Sequence, residues 1–119
     1  MCTVKLALNA IVASLALAVA LALAVPSLAA ARTNTLIATD GPGFTITMNK
    51  KTVKAGRYVI IIRDRSSIHN FHLTGPGVNK TTSVPAVRTT KWTVRLKKGI
   101  YHFVCDPHRS IMHGILKVK

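Results

Sequence analysis

The run Tyr101-His102-Phe103-Val104-Cys105-Asp106-Pro107-His108-Arg109-Ser110-Ile111-Met112-His113-Gly114 alternates apolar and polar side chains as far as a cysteine, then breaks at Asp106-Pro107. Successive side chains of a strand point to opposite faces, so Tyr101, Phe103 and Cys105 share one face and His102 takes the other. The large aromatics mark the inward face. Cys105 therefore stands at the end of a strand with its thiol directed into a core, and His102 is a surface histidine. The Asp-Pro pair turns the chain. That turn lets His108 and Met112 fold back over the same end of the domain.

The rest of the chain from residue 32 onward reads in the same way. Turn signals recur at Asp40-Gly41-Pro42-Gly43, Ala55-Gly56, Gly75-Pro76-Gly77 and Lys97-Lys98-Gly99. Between them lie β-rich runs at 36–39, 44–48, 58–63, 70–73, 91–96, 100–104 and 114–118. In 91–96, Trp92, Val94 and Leu96 share one face and cations take the other. Short strands at this spacing predict an all-β sandwich or barrel of about seven to eight strands. No sustained apolar stripe of helical period is visible after residue 31.

The first 31 residues read as an export signal rather than as part of the fold. Lys5 is followed by an almost unbroken Ala, Leu, Val and Ile run from 6 to 25, then Pro26, Ser27 and the small residues Ala29, Ala30 and Ala31. That order predicts a signal helix cleaved after Ala29 or Ala31, with the product periplasmic or extracellular. The competing reading is an uncleaved membrane anchor, since about 20 apolar residues span a bilayer. Residues 32–119 form the expected single domain, a length that supports one core and not two.

Cysteine and charge narrow the reading further. Cys2 belongs to the leader, so Cys105 has no intramolecular disulfide partner. A lone thiol in an oxidising compartment must be buried, paired with another chain, or bound to something. Of the 17 Lys and Arg residues only Lys5 precedes residue 32, and all three Asp follow it, giving residues 32–119 a net charge of +13. Such a charge favours a soluble monomer and association with anionic partners: an acidic docking surface on a redox protein, or an anionic membrane surface. The basic runs lack the aromatic interleaving of single-strand nucleic-acid binders, so nucleic acid is not an expected partner.

A second cluster, Ser67-Ile68-His69-Asn70-Phe71-His72-Leu73, supplies more imidazoles. His69 shares a strand face with Phe71 and Leu73, so it is the inward ligand candidate, with His72 as the alternate. Taken singly, each residue has an ordinary explanation: a core cysteine, a turn histidine, a hydrogen-bonded core histidine, a packing methionine. Taken together, His69, Cys105 and His108 with a weak axial Met112 are the donor set of a type 1 copper site. His113 competes with Met112 for the axial position, and a third imidazole would shift preference toward Zn(II) or Cu(II).

At these residues the chain resembles the cupredoxins, the plastocyanin and azurin group of small secreted blue-copper proteins. His69-Asn70-Phe71 is similar to the family's His-Asn pair, and Tyr101 to His108 with Met112 and Gly114 is similar to its aromatic strand, Cys-x-Pro-His turn and axial Met. The resemblance covers most of residues 34–119. It implies a Greek-key β-sandwich or barrel, one copper ion per chain, and His69, Cys105 and His108 as equatorial ligands with Met112 axial. It also implies that Asn70 ties the two ligand segments together. Three residues separate His108 from Met112, an azurin-like spacing, whereas the Cys105–His108 spacing is plastocyanin-like. The strongly basic surface departs from the acidic patch of many plastocyanins.

The function expected is single-electron transfer between redox partners, not enzymatic catalysis. With three carboxylates and no Ser/His/Asp arrangement, no acid–base or nucleophilic constellation is visible. The alternative is a periplasmic or extracellular copper carrier or resistance protein with the same ligands and no electron-transfer role.

Overall fold

Alternating burial runs through the longer strands and sorts them into two sheets. The computed structural model describes residues 25–30 and 32–119. The expected signal helix and its cleavage site therefore lie largely outside the described residues, and 25–30 carry no regular secondary structure. Nine strands follow: β1 (Asn34–Asp40), β2 (Ile46–Met48), β3 (Thr52–Val53), β4 (Gly56–Asp64), β5 (His72–Gly75), β6 (Val78–Thr81), β7 (Thr89–Leu96), β8 (Gly99–Val104) and β9 (His113–Val118). A single 3-10 turn, Asp106–His108, stands between β8 and β9.

One sheet has the order β2-β1-β4-β7, the other β3-β9-β8-β5-β6. Both are mixed, because β1 pairs parallel with β4 and β3 parallel with β9. Strand β4 shows why the chain extends here. Its Tyr58-Val59-Ile60-Ile61-Ile62 run is rich in residues that fit a pleated surface, and Tyr58, Ile60 and Ile62 are buried. In β7, Trp92, Val94 and Leu96 face the core while Lys91 and Arg95 are exposed, as their alternation predicts.

The core between the sheets is aliphatic with an aromatic centre. Phe71 stacks on Phe103 with centroids 5.7 Å apart and meets Trp92 at 6.1 Å. Each such side chain, fully buried, contributes about 1.5–3 kcal/mol. Gly114 is required by this packing: a Cβ there would sit 2.3 Å from the Phe103 ring.

The strands differ from the sequence reading at three places. Phe44 and Thr45 lie in a loop, and β2 starts at Ile46. His69, Asn70 and Phe71 precede β5, which begins at His72. Strands β3 and β6 had no signal in the alternation. The first has two residues, and the second buries only Val78.

The register defines two poles. The ends of β1, β4 and β8 and the starts of β5, β7 and β9 gather at one. The starts of β1 and β4, the 76–77 and 97–98 turns and the end of β9 form the other.

Candidate metal centre

Strand β8 delivers Cys105 to the first pole. Tyr101, Phe103 and Cys105 are buried and His102 is exposed, so the predicted parity holds. Cys105 is still extended, with φ −93° and ψ 117°. Pro107, whose fixed φ suits the start of a helical turn, then bends the chain into the 3-10 turn. The His108 amide donates to the Cys105 carbonyl at 3.1 Å and the Met112 amide to the His108 carbonyl at 2.8 Å. The Cys105 amide donates to the Met112 carbonyl at 2.9 Å, closing residues 105–112 into a loop. Met112 is fully buried, and its neighbour His113 is exposed on β9.

His69 reaches the same place from the β4–β5 connection, 36 residues from Cys105 in sequence. Its Nδ1 lies 3.1 Å from His108 Nδ1 and 3.7 Å from Cys105 Sγ, and the Cys105 Sγ to His108 Nδ1 distance is 3.5 Å. His69 and Cys105 have no exposed surface, and His108 is half-buried. A point equidistant from these three atoms lies about 2.0 Å from each, the length of a metal–imidazole bond and slightly short of a metal–thiolate bond. The three donors, with the buried thioether of Met112 in the same loop, fit a type 1 copper ion.

The surroundings fix these donors. Gly43 O can only accept, so the 2.9 Å contact with His69 Nε2 places the proton on Nε2 and leaves Nδ1 bare. That carbonyl comes from the β1–β2 loop, which approaches closely through Gly41. Gly41 has φ +65°, and a Cβ there would meet Ser66 Cβ at 2.9 Å and His69 Cδ2 at 3.2 Å. The next residue after Gly43, Phe44, sets its ring edge-on to both imidazoles, 5.4 Å from His69 and 4.9 Å from His108.

Asn70 joins the two ligand segments. Its Oδ1 accepts from the Asp106 amide at 2.7 Å, and its Nδ2 donates to Asp106 Oδ2 at 2.8 Å and Thr81 Oγ1 at 3.0 Å. The alternate ligand His72 turns away from the cluster. Its Nδ1 contacts Asp106 Oδ1 at 2.9 Å and its Nε2 contacts Asn79 Oδ1 at 2.8 Å. Arg109 Nη2 adds a third partner to Asp106 at 2.6 Å. Desolvation pushes the Asp106 carboxyl up, but hydrogen bonds from Asn70 and His72 and the charges of His72 and Arg109 outweigh it and hold the pKa below the usual value. The Asp106 hydrogen bond raises the His72 pKa above its ordinary value.

Beneath the ligand loops, Asp40 and Asp64 stand side by side in the parallel register of β1 and β4. Both are buried, and both Asp40 oxygens and Asp64 Oδ2 lack a hydrogen-bond partner. Burial first, and the neighbouring Asp64 second, push Asp40 up to about 7. A carboxyl raised this far keeps its proton up to about neutral pH.

The profile of the Cupredoxin-like domain family matches residues 13–118. This chain is a cupredoxin. No curated protein matches it. Among solved structures, this cupredoxin is similar to auracyanin A, a blue copper protein of the green thermophilic photosynthetic bacterium Chloroflexus aurantiacus. The two are 16% identical over 74% of this chain and 100% of that one, with a TM-score of 0.52. Reduced rusticyanin is 21% identical over 73% of this chain and 79% of its own, with a TM-score of 0.56. A methionine-to-glutamine mutant of amicyanin in its Cu(I) form is 15% identical over 72% and 83%, with a TM-score of 0.52. At these identities the likeness is one of fold.

Within the cupredoxin frame, the sequence left two elements of the centre unread: the Gly43 carbonyl and the Phe44 ring. The Asp40–Gly43 turn was visible, but nothing local says that it packs on a histidine 26 residues away.

Proposed function

We propose that this cupredoxin is an exported type 1 copper protein that carries single electrons between redox partners. His69, Cys105 and His108 are the in-plane ligands, Met112 the axial one, and Asn70 the residue that ties their segments. The observation that carries the reading is the convergence of two imidazole nitrogens and one thiol within 3.7 Å at a buried pole. Copper in such a site supplies a one-electron couple.

The chain's own residues give the remaining requirements. Two ligand segments are cross-braced through Asn70 and Asp106, so the donors are held in place before any ion arrives. His69 keeps a bare Nδ1 because Gly43 occupies its other nitrogen. Full burial of Cys105, His69 and Met112 excludes water, while the half-buried His108 ring gives a short path to the surface. Residues 1–31 act as the export segment and 32–119 as the working domain. The +13 charge suits a redox partner whose docking surface is acidic.

Voltammetry of the copper-loaded protein tests this. The expected result is a reversible one-electron wave that Cys105→Ser abolishes while the fold, followed by far-UV dichroism, persists. Tight copper binding without a reversible wave would favour a copper carrier instead.

A further inference from the structure

The carboxylates of this protein are confined to one pole, while exposed cations stand at both, Arg63, Arg65, Arg88 and Arg109 among them at the metal pole. All three carboxylate side chains stand at the metal pole: Asp40 and Asp64 end β1 and β4, and Asp106 follows β8. The opposite pole carries Lys54 and Arg57 around the β3–β4 turn, Lys97 and Lys98 in the β7–β8 turn, and Lys119 after β9, all exposed. Ion pairs among the described residues involve only Asp106, with His72 and Arg109, so these five cations have no carboxylate partner. Lys119 lies against the turn itself, its carbonyl accepting from the Ala55 amide at 3.0 Å. The cations of two turns and of the segment after β9 therefore project from one end.

The same pole receives the N-terminal chain. Strand β1 starts there, with Asn34 paired to Tyr58. The apolar run of the leader ends at Val25, leaving eight residues before Asn34. Fully extended, eight residues span at most about 28 Å. Any leader left attached would therefore join the domain at this pole.

We propose that the pole opposite the metal centre is a docking surface for an anionic lipid bilayer. Lys54, Arg57, Lys97, Lys98 and Lys119 engage lipid phosphates as point charges or forks, and the His108 edge is turned outward toward soluble partners. Phospholipid is favoured over an acidic protein by two features of this pole. Its exposed tips are lysine-bearing turns without an exposed aromatic anchor of the kind protein interfaces use, and the chain's only long apolar segment leads into it. The proposal takes the metal pole as the working end. It does not require copper, so its failure and that of the copper reading are separable.

The test is vesicle co-sedimentation of residues 32–119 without metal. Every buried core side chain among the described residues lies between Leu36 and Val118, so this span carries the fold by itself. The probe is phosphatidylcholine vesicles with about one lipid in four replaced by phosphatidylglycerol, against pure phosphatidylcholine. A cation near an anionic surface is worth about fivefold in binding, so Lys54→Gln, Lys97→Gln and Lys98→Gln together should weaken it roughly a hundredfold. Arg65→Gln, Arg88→Gln and Lys91→Gln remove the same charge from the metal half and should change binding less than about fivefold. Unchanged far-UV dichroism and urea midpoints of both metal-free triple variants verify the fold. Equal weakening by both triples, as a polyanion sensing net charge alone would give, overturns the proposal. So does equal binding to neutral and anionic vesicles, or none to either.

Discussion

Replacing Asp40 by Asn should stabilise this protein at alkaline pH and leave it nearly unchanged at acid pH. A carboxyl whose folded pKa exceeds its unfolded value takes up a proton on folding. Its contribution is fully present below the unfolded pKa, 3.8, and is lost as pH rises through the folded value, about 7. The shift of about three units corresponds to at most about 4 kcal/mol, at 1.36 kcal/mol per unit. Relaxation and water entry around a buried carboxylate reduce that, so about 2 kcal/mol is the working expectation. The amide that Asp40→Asn introduces is neutral and has N–H groups to offer Asp64 Oδ2, which has no partner now. Urea unfolding of the metal-free protein at several pH values between about 4 and 9 measures the effect. The difference between variant and parent should grow through neutrality and level off above it. A difference independent of pH, or a loss of stability at alkaline pH, would refute the raised Asp40 pKa.

Two further outcomes follow from the brace around Asp106. Asn70→Ala leaves the buried ends of that brace without partners and should cost about 2–4 kcal/mol, at roughly 1–3 kcal/mol per unsatisfied group; calorimetry of the metal-free and copper-loaded forms measures it, and the visible spectrum should shift. His72→Gln should matter by no more than about 1 kcal/mol, because the pair is partly exposed. The stabilisation from His72 is fully present below its unfolded pKa near 6.5 and is lost as pH rises through its raised folded value. The gap between parent and variant should therefore close above neutrality, as unfolding at graded pH will show.

Period and spacing made part of the centre legible in advance. Cys105 and His108 are local, and the parity of β8 alone aims the thiol inward. His69 followed from sharing a face with Phe71 and Leu73, even though β5 starts only at His72, later than that reasoning assumed. Parity likewise separated His69 from His72, which the structure gives to Asp106. What escaped depends on contacts between distant segments. The Gly43 carbonyl and the Phe44 ring meet His69 only once β1 and the β4–β5 connection are brought together. The Asp40–Asp64 pairing needs the parallel register of β1 and β4, which alternation along either strand does not set. Strand β6 was missed because three of its four residues are exposed and polar.

Titrating the metal-free protein with Cu(II) while recording its visible and electron spin resonance spectra tests the centre most directly. One equivalent should give an intense thiolate-to-copper band near about 600 nm with a narrow copper hyperfine splitting, the mark of a trigonal site of two imidazoles and one thiolate. A colourless product with one copper bound, or a wide splitting, would mean that His69, Cys105 and His108 do not share the ion.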